Sequence, residues 1–477
     1  MRRIAIDLAL AATAAAFTGV VLTPVPAQAE PQAEPQDAPR AAAAGKDVIA
    51  NLWSWNWKSI AAECTDVLGP AGYAAVWVAP PAESLSQPQH NWWDIYQPYS
   101  YKLSGRFGSE SDFTNMTSAC NGAGVKVYTD AVINHTAAKT GTGYDGTQIG
   151  DKYQPPMYSR GDYNVDVCDR TISNWSDKWE VQNCELLGLP DLKTGSDSVR
   201  DKIAGYLNAQ IAAGVSGFRV DAAKHMPAGD LEAIVGRLDR TADGSAPFVF
   251  HEVYPGSPPS VDEYYGSGKV LDFGYADQLK GAFQGDIAQL TNFGNGLLPA
   301  GNSVSFVTNH DTERNGRHLT YKDGDTAVLA NVFQLGWKHA APTVYAGFTF
   351  DDPEGSPPAD GDGFVTGTDC GSGWYCLDRD PRITGMVGWR SAVGDADVTD
   401  KQSPLGNVIG FGRGQAGFVA INNGGDAVTA TFTTSMQDGT YCNVLDGCAT
   451  KVEVSGGKAA IAVPAKGAVA IHTGKTA

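Results

Sequence analysis

The sequence predicts a β/α barrel followed by an antiparallel β domain, and three observations carry that prediction. Four short apolar segments, at residues 125–135, 217–225, 247–253 and 304–311, each end in a carboxylate with a polar neighbour. Strand and helix patterns alternate up to about residue 390, which indicates a parallel sheet. After residue 404, short apolar runs are separated by Gly-rich turns. Acids at the carboxyl ends of several parallel strands are typical of the working face of a barrel.

The predicted elements follow in order from residue 48. Apolar runs at 48–52 and 74–78 indicate buried strands, and the segment 59–68 between them has a helical pattern. Residues 135–191 then lose any regular period, and an irregular insert of this length in a compact fold is usually functional. Further helices are predicted at 196–213 and 326–339, and β strands at 408–412, 418–421, 429–432 and 468–471.

Length and composition fit a large globular protein. A chain of 477 residues is too long for one ordinary domain, but it suits a barrel with an insert and a terminal domain. Hydrophobic residues make up 42% and charged residues 18%, which excludes a disordered chain. The net charge of −18 argues against nucleic acid or an anionic membrane surface as a partner, because both require clustered Lys and Arg. A neutral substrate is compatible with this charge.

The N-terminus has the pattern of a secretory signal. Arg2 and Arg3 precede an apolar run to Leu22, and small residues around Ala29 complete the pattern, so we expect a signal peptide at 1–29 and a disordered leader at 30–45. The alternative is a membrane anchor, but the uncharged part is short for a spanning helix. The sequence therefore predicts a secreted, extracellular protein.

The chain has eight cysteines. An even number in an exported protein favours disulfides over metal ligands. Their spacing alone leaves the connectivity open.

The segment 217–225 carries the strongest functional signal. Arg219 and Asp221 are two residues apart, so both side chains lie on the same side of a strand. Charges on a buried face are costly unless they are paired, and a functional site explains them best. His251 and Glu252 resemble the start of a zinc-protease motif, but Pro255 stands where the second His is required, which argues against zinc.

Taken in order, the four acid-ended segments resemble the four signature regions of the alpha-amylase family of glycoside hydrolases. The resemblance extends over nearly the whole chain after about Asp47. It implies a (β/α)8 barrel (TIM barrel) with a small domain inserted after strand 3 and a C-terminal antiparallel β-sandwich. The implied boundaries are 46–135 and 193–390 for the barrel, 136–192 for the insert and 391–477 for the β-sandwich.

The resemblance also implies disulfides between sequential cysteines: Cys64 with Cys120, Cys168 with Cys184, Cys370 with Cys376 and Cys442 with Cys448. Some relatives have a further cysteine near Tyr101, where this chain has Ser104, so that extra bridge is not expected.

The resemblance implies a retaining hydrolysis of α-1,4-glucosidic bonds within starch, glycogen and related glucans. Asp221 is then the nucleophile, Glu252 the general acid and base, and Asp311 the third acid, which binds and distorts the sugar. A retaining mechanism needs two carboxyl groups about 5 to 5.5 Å apart. We expect Arg219 to keep Asp221 ionised, because a nearby cation favours the charged form of an acid.

The predicted substrate-binding residues include an aromatic loop. In an extended segment adjacent rings point to opposite sides, so at least one ring of 92–96 should be exposed, and flat rings suit the apolar faces of sugars. The alternative is a loop anchor packed on the barrel. The complete predicted set is Trp92, Trp93, Tyr96, Gln97, His135, Arg219, Lys224, His225 and His310.

The expected metal is calcium, because hard oxygen ligands without a Cys/His cluster favour it. The resemblance places its ligands at the side chains of Asn134 and Asp191 and at the carbonyls of Gln182 and His225. Some relatives also bind chloride through residues that match Arg219 and Asn309 and a third, basic residue. Residues 340–345 contain no cation, which argues against chloride activation here.

Two alternatives to this function stay open at the sequence level. One is a maltooligosaccharide-forming or glucan-transferring enzyme on the same barrel. The other is a catalytically inactive barrel that only binds glycans, because a fold does not determine a function. We expect a monomer that acts on a starch-like α-glucan.

Overall fold

Eight parallel strands form a closed barrel in the computed structural model, which describes residues 46–477. The predicted signal peptide (1–29) and leader (30–45) lie outside the described residues. The barrel strands are β1 Ile49–Asn51, β2 Ala75–Val78, β3 Lys126–Ala131, β4 Gly217–Val220, β5 Phe248–His251, β6 Lys269–Leu271, β7 Ser303–Phe306 and β8 Ala341–Tyr345. Each strand pairs with its neighbours in sequence, and β1 closes the ring against β8. The predicted barrel is confirmed.

Helices surround the barrel. They are α1 Trp57–Glu63, α2 Glu110–Gly122, α3 Asp197–Ala212, α4 Ala228–Val235, α5 Phe273–Gln284, α6 Asp325–Gly336 and α7 Pro381–Val393. Local sequence sets where they begin: Ser109 and Asp112 form a reciprocal capping box at α2, and Asp380 caps α7 directly before Pro381. A π-helical turn at Cys64–Leu68 continues α1, so the predicted helix 59–68 is present with a change of pitch.

The barrel interior is packed with large side chains. Trp77 and Phe250 meet edge to face with ring centroids 5.4 Å apart, inside a cluster that also contains Ile49 and Phe306. Gly217 begins β4 because nothing larger fits, since a Cβ there would lie 2.4 Å from the Phe248 carbonyl oxygen. This close approach places the following residues of β4 directly against β5.

The segment between β3 and β4 contains only short elements. It holds the two-stranded ribbon Gly141–Thr142 with Gln148–Ile149 and the short helix Lys178–Val181. Its two ends meet, because His135 pairs with Asp191 and the Leu192 amide donates to the Asn134 carbonyl. The insert is therefore a loop domain that leaves and re-enters the barrel at one place. Its exact boundaries stay a prediction.

Two four-stranded antiparallel sheets form the C-terminal domain, as predicted. Their strands are β9 Val398–Leu405, β10 Val408–Arg413, β11 Gly417–Asn422, β12 Val428–Thr433, β13 Gly439–Cys442, β14 Lys451–Ser455, β15 Lys458–Val463 and β16 Gly467–His472. The sheet orders are β9-β10-β11-β16 and β12-β15-β14-β13. Phe411 of β10 packs on Trp337 beyond α6, so the domain shares a core with the barrel.

All four disulfides are those that the resemblance implies: Cys64–Cys120, Cys168–Cys184, Cys370–Cys376 and Cys442–Cys448. Each closes a local segment, and the described residues contain no free cysteine. One local prediction is wrong. Residues Trp92–Tyr96 form a 3-10 helix and not an extended segment, because each of the Asp94 and Gln97 amides hydrogen-bonds back three residues.

Candidate active site

Two of the predicted acids, Asp221 and Glu252, meet a further acid, Asp130, at the carboxyl end of the barrel. Asp130 lies in β3, Asp221 directly follows β4, and Glu252 directly follows β5. The parallel register sets Asp130 beside Arg219, and Arg219 beside Phe250 two residues before Glu252. Neighbouring strands thus bring together residues that are about 30 to 90 positions apart in sequence.

One arginine connects three of these acids. Nη1 of Arg219 lies 2.8 Å from Asp130 Oδ1 and 2.7 Å from Asp221 Oδ1, and Nη2 lies 3.0 Å from Glu252 Oε2. The Arg219 side chain is fully buried. The side chains of Asp221 and Glu252 are 11% and 14% exposed. The two partly exposed carboxyl groups therefore face the cleft while one buried cation fixes their separation.

The backbone between these groups is strained. Ala222 has φ +49°, a left-handed conformation that a non-glycine residue rarely adopts. This turn lets the Ala222 amide donate to Glu252 Oε2 at 3.0 Å. Such strain is found mainly where a site requires a particular geometry. Here it orients the Glu252 carboxyl group beside Asp221.

Burial dominates the electrostatics of the site. It raises the pKa of Asp221 well above its usual range, and the Glu252 and Asp130 charges raise it further, while Arg219 opposes the change. Arg219 thus acts in the predicted direction, but burial outweighs it. Burial, followed by the Glu252 charge, also raises the pKa of Asp311 to about 7. Four carboxyl groups share this site, and their mutual repulsion favours retention of a proton, whereas the contact with Arg219 favours the ionised form of Asp221 that a nucleophilic attack requires.

Tyr96 and His310 form a second layer of polar contacts. The Tyr96 hydroxyl donates to Asp130 Oδ2 at 2.8 Å and lies 2.8 Å from His310 Nε2, which is itself 3.3 Å from Asp311 Oδ2. Burial and two nearby arginines lower the pKa of His310 well below its usual range, so this ring is neutral. The neutral ring can donate one hydrogen bond towards Asp311 or a sugar hydroxyl.

Two cavities meet at Glu252. The larger, about 540 Å³, contains the predicted aromatic loop, and its lining includes Trp92, Trp93, Tyr96, Gln97, His135, Asp221, Glu252, His310 and Asp311. The smaller, about 420 Å³, is lined by Lys224, His225 and Glu252 but not by Asp221 or Asp311. The cleft therefore continues on both sides of Glu252. The predicted substrate-binding residues divide between its two ends, except Arg219: its side chain is fully buried and lines neither cavity, so the prediction that it contacts substrate is wrong.

Several of these residues already have protein partners. His135 Nε2 lies 3.0 Å from the Tyr96 carbonyl, and burial lowers the His135 pKa to about 4. Lys224 donates to the Tyr254 carbonyl at 2.7 Å, and His225 Nδ1 lies 2.9 Å from the Val181 carbonyl. Their contacts with substrate stay predictions.

The cleft is also lined by residues that were not predicted from the sequence, among them two aromatic residues and an exposed leucine. Trp175 and Tyr254 line the smaller cavity, and Leu187, which is 80% exposed, lines the larger. Tyr254 lies two residues after Glu252, so the alternation used for Arg219 and Asp221 could have identified it. Trp175 and Leu187 lie in the irregular insert, where no period predicts which side chains face the cleft.

The residues predicted to bind calcium are suited to a hard cation. Asn134 Oδ1 is buried without a hydrogen-bond partner in the described part of the chain. Asp191 is buried with one donor, Asn164 Nδ2 at 2.8 Å, and burial raises its pKa well above the usual range. The contact between His225 and Val181 places His225 beside Gln182. Residues 46–477 contain no group of three or more His, Cys, Asp or Glu side chains placed for a metal, and the calcium ligands stay a prediction.

The third, basic chloride ligand of some relatives was not expected in this chain. Arg219 Nε and Asn309 Nδ2 are buried without hydrogen-bond partners among the described residues. Strand β8 spans Ala341–Tyr345 and contributes no cation. The expectation that the protein is independent of chloride stays a prediction.

Comparisons with known proteins agree with this geometry. Residues 63–247 match the alpha amylase catalytic domain, and residues 400–474 match the alpha amylase C-terminal all-beta domain. The chain is 46% identical to the alpha-amylase of Streptomyces violaceus, over 90% of this chain and 74% of that one. It is 40% identical to the alpha-amylase of Tenebrio molitor, over 87% and 91% of the two chains.

A solved alpha-amylase structure also superposes on this chain. It is a mutant of alpha-amylase I from Eisenia fetida in complex with maltohexaose, and it superposes with a TM-score of 0.86 at 33% identity over 90% of this chain and 98% of that one. On these matches, the chain belongs to the alpha-amylase family.

Proposed function

We propose that the protein is a retaining endo-hydrolase of α-1,4-glucosidic bonds in starch-like glucans. The observation that carries the proposal is the contact of Asp221 and Glu252 with one buried guanidinium, at the point where two cavities meet. A cleft that continues past the acids on both sides accommodates the middle of a polymer, which suits cleavage within the chain. The maltohexaose complex of the Eisenia fetida relative supports an α-glucan as substrate.

The proposed mechanism gives Asp221 and Glu252 the roles that the family resemblance implies. Asp221 attacks the anomeric carbon while Glu252 transfers its proton to the glycosidic oxygen, so the C–O bond breaks and a covalent glycosyl ester forms. Glu252 then removes a proton from water, the water oxygen attacks the same carbon, and the ester bond to Asp221 breaks. The second step returns to Glu252 the proton that the first step used. The product keeps the α configuration.

The remaining residues bind and orient the sugar. Asp311 and His310 line the cavity that contains Asp221, so that cavity takes the sugar whose anomeric carbon reacts. The smaller cavity contains Glu252 alone of the three acids and therefore takes the leaving part of the glucan. Trp175 and Tyr254 supply aromatic surface on this side, where flat rings suit pyranose faces.

The calcium expected from the family would bind Asn134, Asp191 and the carbonyls of Gln182 and His225. The ion would supply a crosslink between the two ends of the insert and β4. Asn134 and Asp191 lie where the insert leaves and re-enters the barrel. A cation bound by both residues would therefore stabilise the loops that form the cleft wall.

Secretion follows from the predicted signal at 1–29 and is supported by the four disulfides, which form in oxidising compartments. In the described part of the chain, the helices are too short or too polar to cross a membrane. The exported protein should begin after Ala29 and act as a monomer, which N-terminal sequencing and light scattering of the secreted material would test.

Products formed from amylose over time test the proposed function. An endo-hydrolase releases a broad range of oligosaccharides early, and nuclear magnetic resonance of the first product should show the α anomer. A single oligosaccharide from the start would favour the maltooligosaccharide-forming alternative, and longer products made from maltooligosaccharides would favour glucan transfer. Binding without any product would favour the inactive glycan-binding barrel. Asp221→Asn is the control for contaminating activity.

A further inference from the structure

A buried arginine that the proposed mechanism does not use lies behind the third acid. Arg314 is three residues after Asp311, and its side chain is 5% exposed. Its Nε and Nη2 atoms have no hydrogen-bond partner among the described residues. Burial of a guanidinium with so few polar contacts requires another source of stabilisation.

Aromatic rings supply that stabilisation. The centre of the guanidinium lies 5.0 Å from the ring centroids of Trp53 and Trp92, 4.9 Å from that of Phe348 and 4.5 Å from that of Phe350. A cation within about 6 Å of a ring face is attracted by the ring quadrupole, and the attraction is strongest where water is excluded. We call these four rings the aromatic cage.

The aromatic cage also contacts His310. Trp53 stacks on the His310 ring with centroids 4.4 Å apart and planes 8° apart, and Trp92 meets the same ring edge to face at 5.9 Å. Arg314 Nη1 donates a hydrogen bond to the His310 carbonyl. The guanidinium therefore fixes His310 in two ways, through the main chain and through the rings that pack on its imidazole.

A dedicated counter-ion holds the guanidinium in place. Glu313, whose side chain is fully buried, accepts hydrogen bonds from Arg314 Nη1, from the Tyr345 hydroxyl at 2.8 Å and from the Tyr375 hydroxyl at 3.0 Å. Tyr345 ends β8, so this carboxylate ties the loop after β7 to the neighbouring barrel strand. The arginine is thus held between the barrel wall and the loop that carries Asp311.

We propose that Arg314 is a positioning residue that, with its aromatic cage and Glu313, sets the orientation of His310 towards the reacting sugar. This inference rests on the proposed function. The alternative is that Arg314 only fills the core. Orientation and core filling differ in their consequences, because a misplaced sugar-binding group lowers the turnover of folded enzyme, whereas lost packing lowers stability alone.

Arg314→Met tests the difference, with Arg390→Met as the matched control. Arg390 is a buried arginine with a side chain 8% exposed, paired with Asp47 and bonded to the Leu335 and Trp337 carbonyls, outside both cavities of the cleft. On maltopentaose, Arg314→Met should lower kcat by about 100-fold, the loss expected for a displacement of about 1 Å at a reacting centre, with a much smaller change in KM. Arg390→Met should lower Tm and leave kcat unchanged.

A double-mutant cycle identifies the group through which Arg314 acts. If Arg314 acts through His310, its replacement in a His310→Asn background should cost less than about tenfold in kcat, because the two effects are then not additive. A full additional loss in that background would overturn the proposal. So would an Arg314→Met enzyme with wild-type kcat and a lowered Tm.

A second variant keeps the test decisive if Arg314→Met does not fold. Arg314→Lys retains the charge and loses the planar fork, so we expect a kcat loss of about tenfold with the protein folded. Wild-type kcat in Arg314→Lys would overturn the positioning role. Failure of the proposed function is distinguishable, since the wild-type protein itself would then lack activity on maltopentaose.

Discussion

Replacing Glu252 with Gln should separate proton transfer from every other contribution of this side chain. Gln has the same shape, and its carbonyl can still accept the Ala222 amide, which lies 3.0 Å from Glu252 Oε2. The substitution removes the transferable proton and replaces the acidic group whose Oε2 lies 3.0 Å from Arg219 Nη2 with a neutral amide. Arg219 keeps Asp130 and Asp221 as partners, so the buried cation stays paired.

The expected magnitudes follow from these contacts. General acid–base catalysis contributes about 10²- to 10⁴-fold, so kcat on maltopentaose should fall by that factor, or about 3 to 5 kcal/mol in the barrier. The lost charge-assisted contact with Arg219 costs at most about 1.5 to 3 kcal/mol of unfolding free energy. Activity should therefore collapse in a protein that stays folded.

The assay compares two substrates. An aryl maltotrioside has a leaving group that departs without a proton, so Glu252→Gln should release one equivalent of phenolate in a burst and then turn over slowly, because the second step lacks its base. Asp221→Asn should show no burst on either substrate. An equal loss on both substrates for Glu252→Gln, without a burst, would refute the assignment of Glu252 as acid and base.

Four further predictions concern the rest of the molecule. Chelation should lower Tm, and calcium should restore it better than magnesium, since irregular oxygen ligands suit calcium; an unchanged melting curve would discard the site at Asp191. Trp93→Ala should lower kcat/KM on amylose at nearly constant stability, and a large Tm loss with unaltered kcat/KM would make the ring a loop anchor. Dialysis against chloride-free buffer should leave kcat unchanged, and reactivation by added chloride would contradict this. Burial and the Glu63 charge raise the pKa of Asp378 well above its usual range. That carboxyl group therefore stabilises the fold at acid pH and loses this contribution as pH rises, so the Tm advantage of Asp378→Asn should grow from pH 5 to pH 8; a constant difference would refute it.

The sequence predicts the position of a site residue where that position depends only on local alternation and on the end of a strand. Arg219 and Asp221 alternate in a buried strand, and any parallel barrel brings the residue that follows each strand to one face. This rule alone places Asp221 and Glu252 together at the carboxyl end of the barrel. The contact of both groups with one guanidinium needs only the parallel register of β4 and β5.

The aromatic loop shows where local pattern is insufficient. Alternation of neighbouring rings at 92–96 requires an extended segment, but hydrogen bonds three residues apart form a 3-10 helix. Exposure along this segment then depends on tertiary contacts: Trp93 donates to Glu354 at 2.7 Å, whereas the Tyr96 hydroxyl contacts Asp130 and His310. Glu354 is 261 residues from Trp93, and no local period encodes such a contact.

The same argument explains why the environment of Arg314 is invisible in the sequence. The four rings of its aromatic cage come from distant parts of the sequence: Trp53, Trp92, Phe348 and Phe350. Only the closed barrel brings them together. A variant that retains the acids of the site but loses the packing around Arg314 would therefore not retain the orientation of His310. A neutral, ring-stacked His310 and a partly exposed Asp311 can present a fixed pair of polar groups to a sugar only if the buried cation behind them cannot move. In this protein the catalytic face is therefore determined by strand order, whereas its fine orientation is determined by packing that spans the whole barrel.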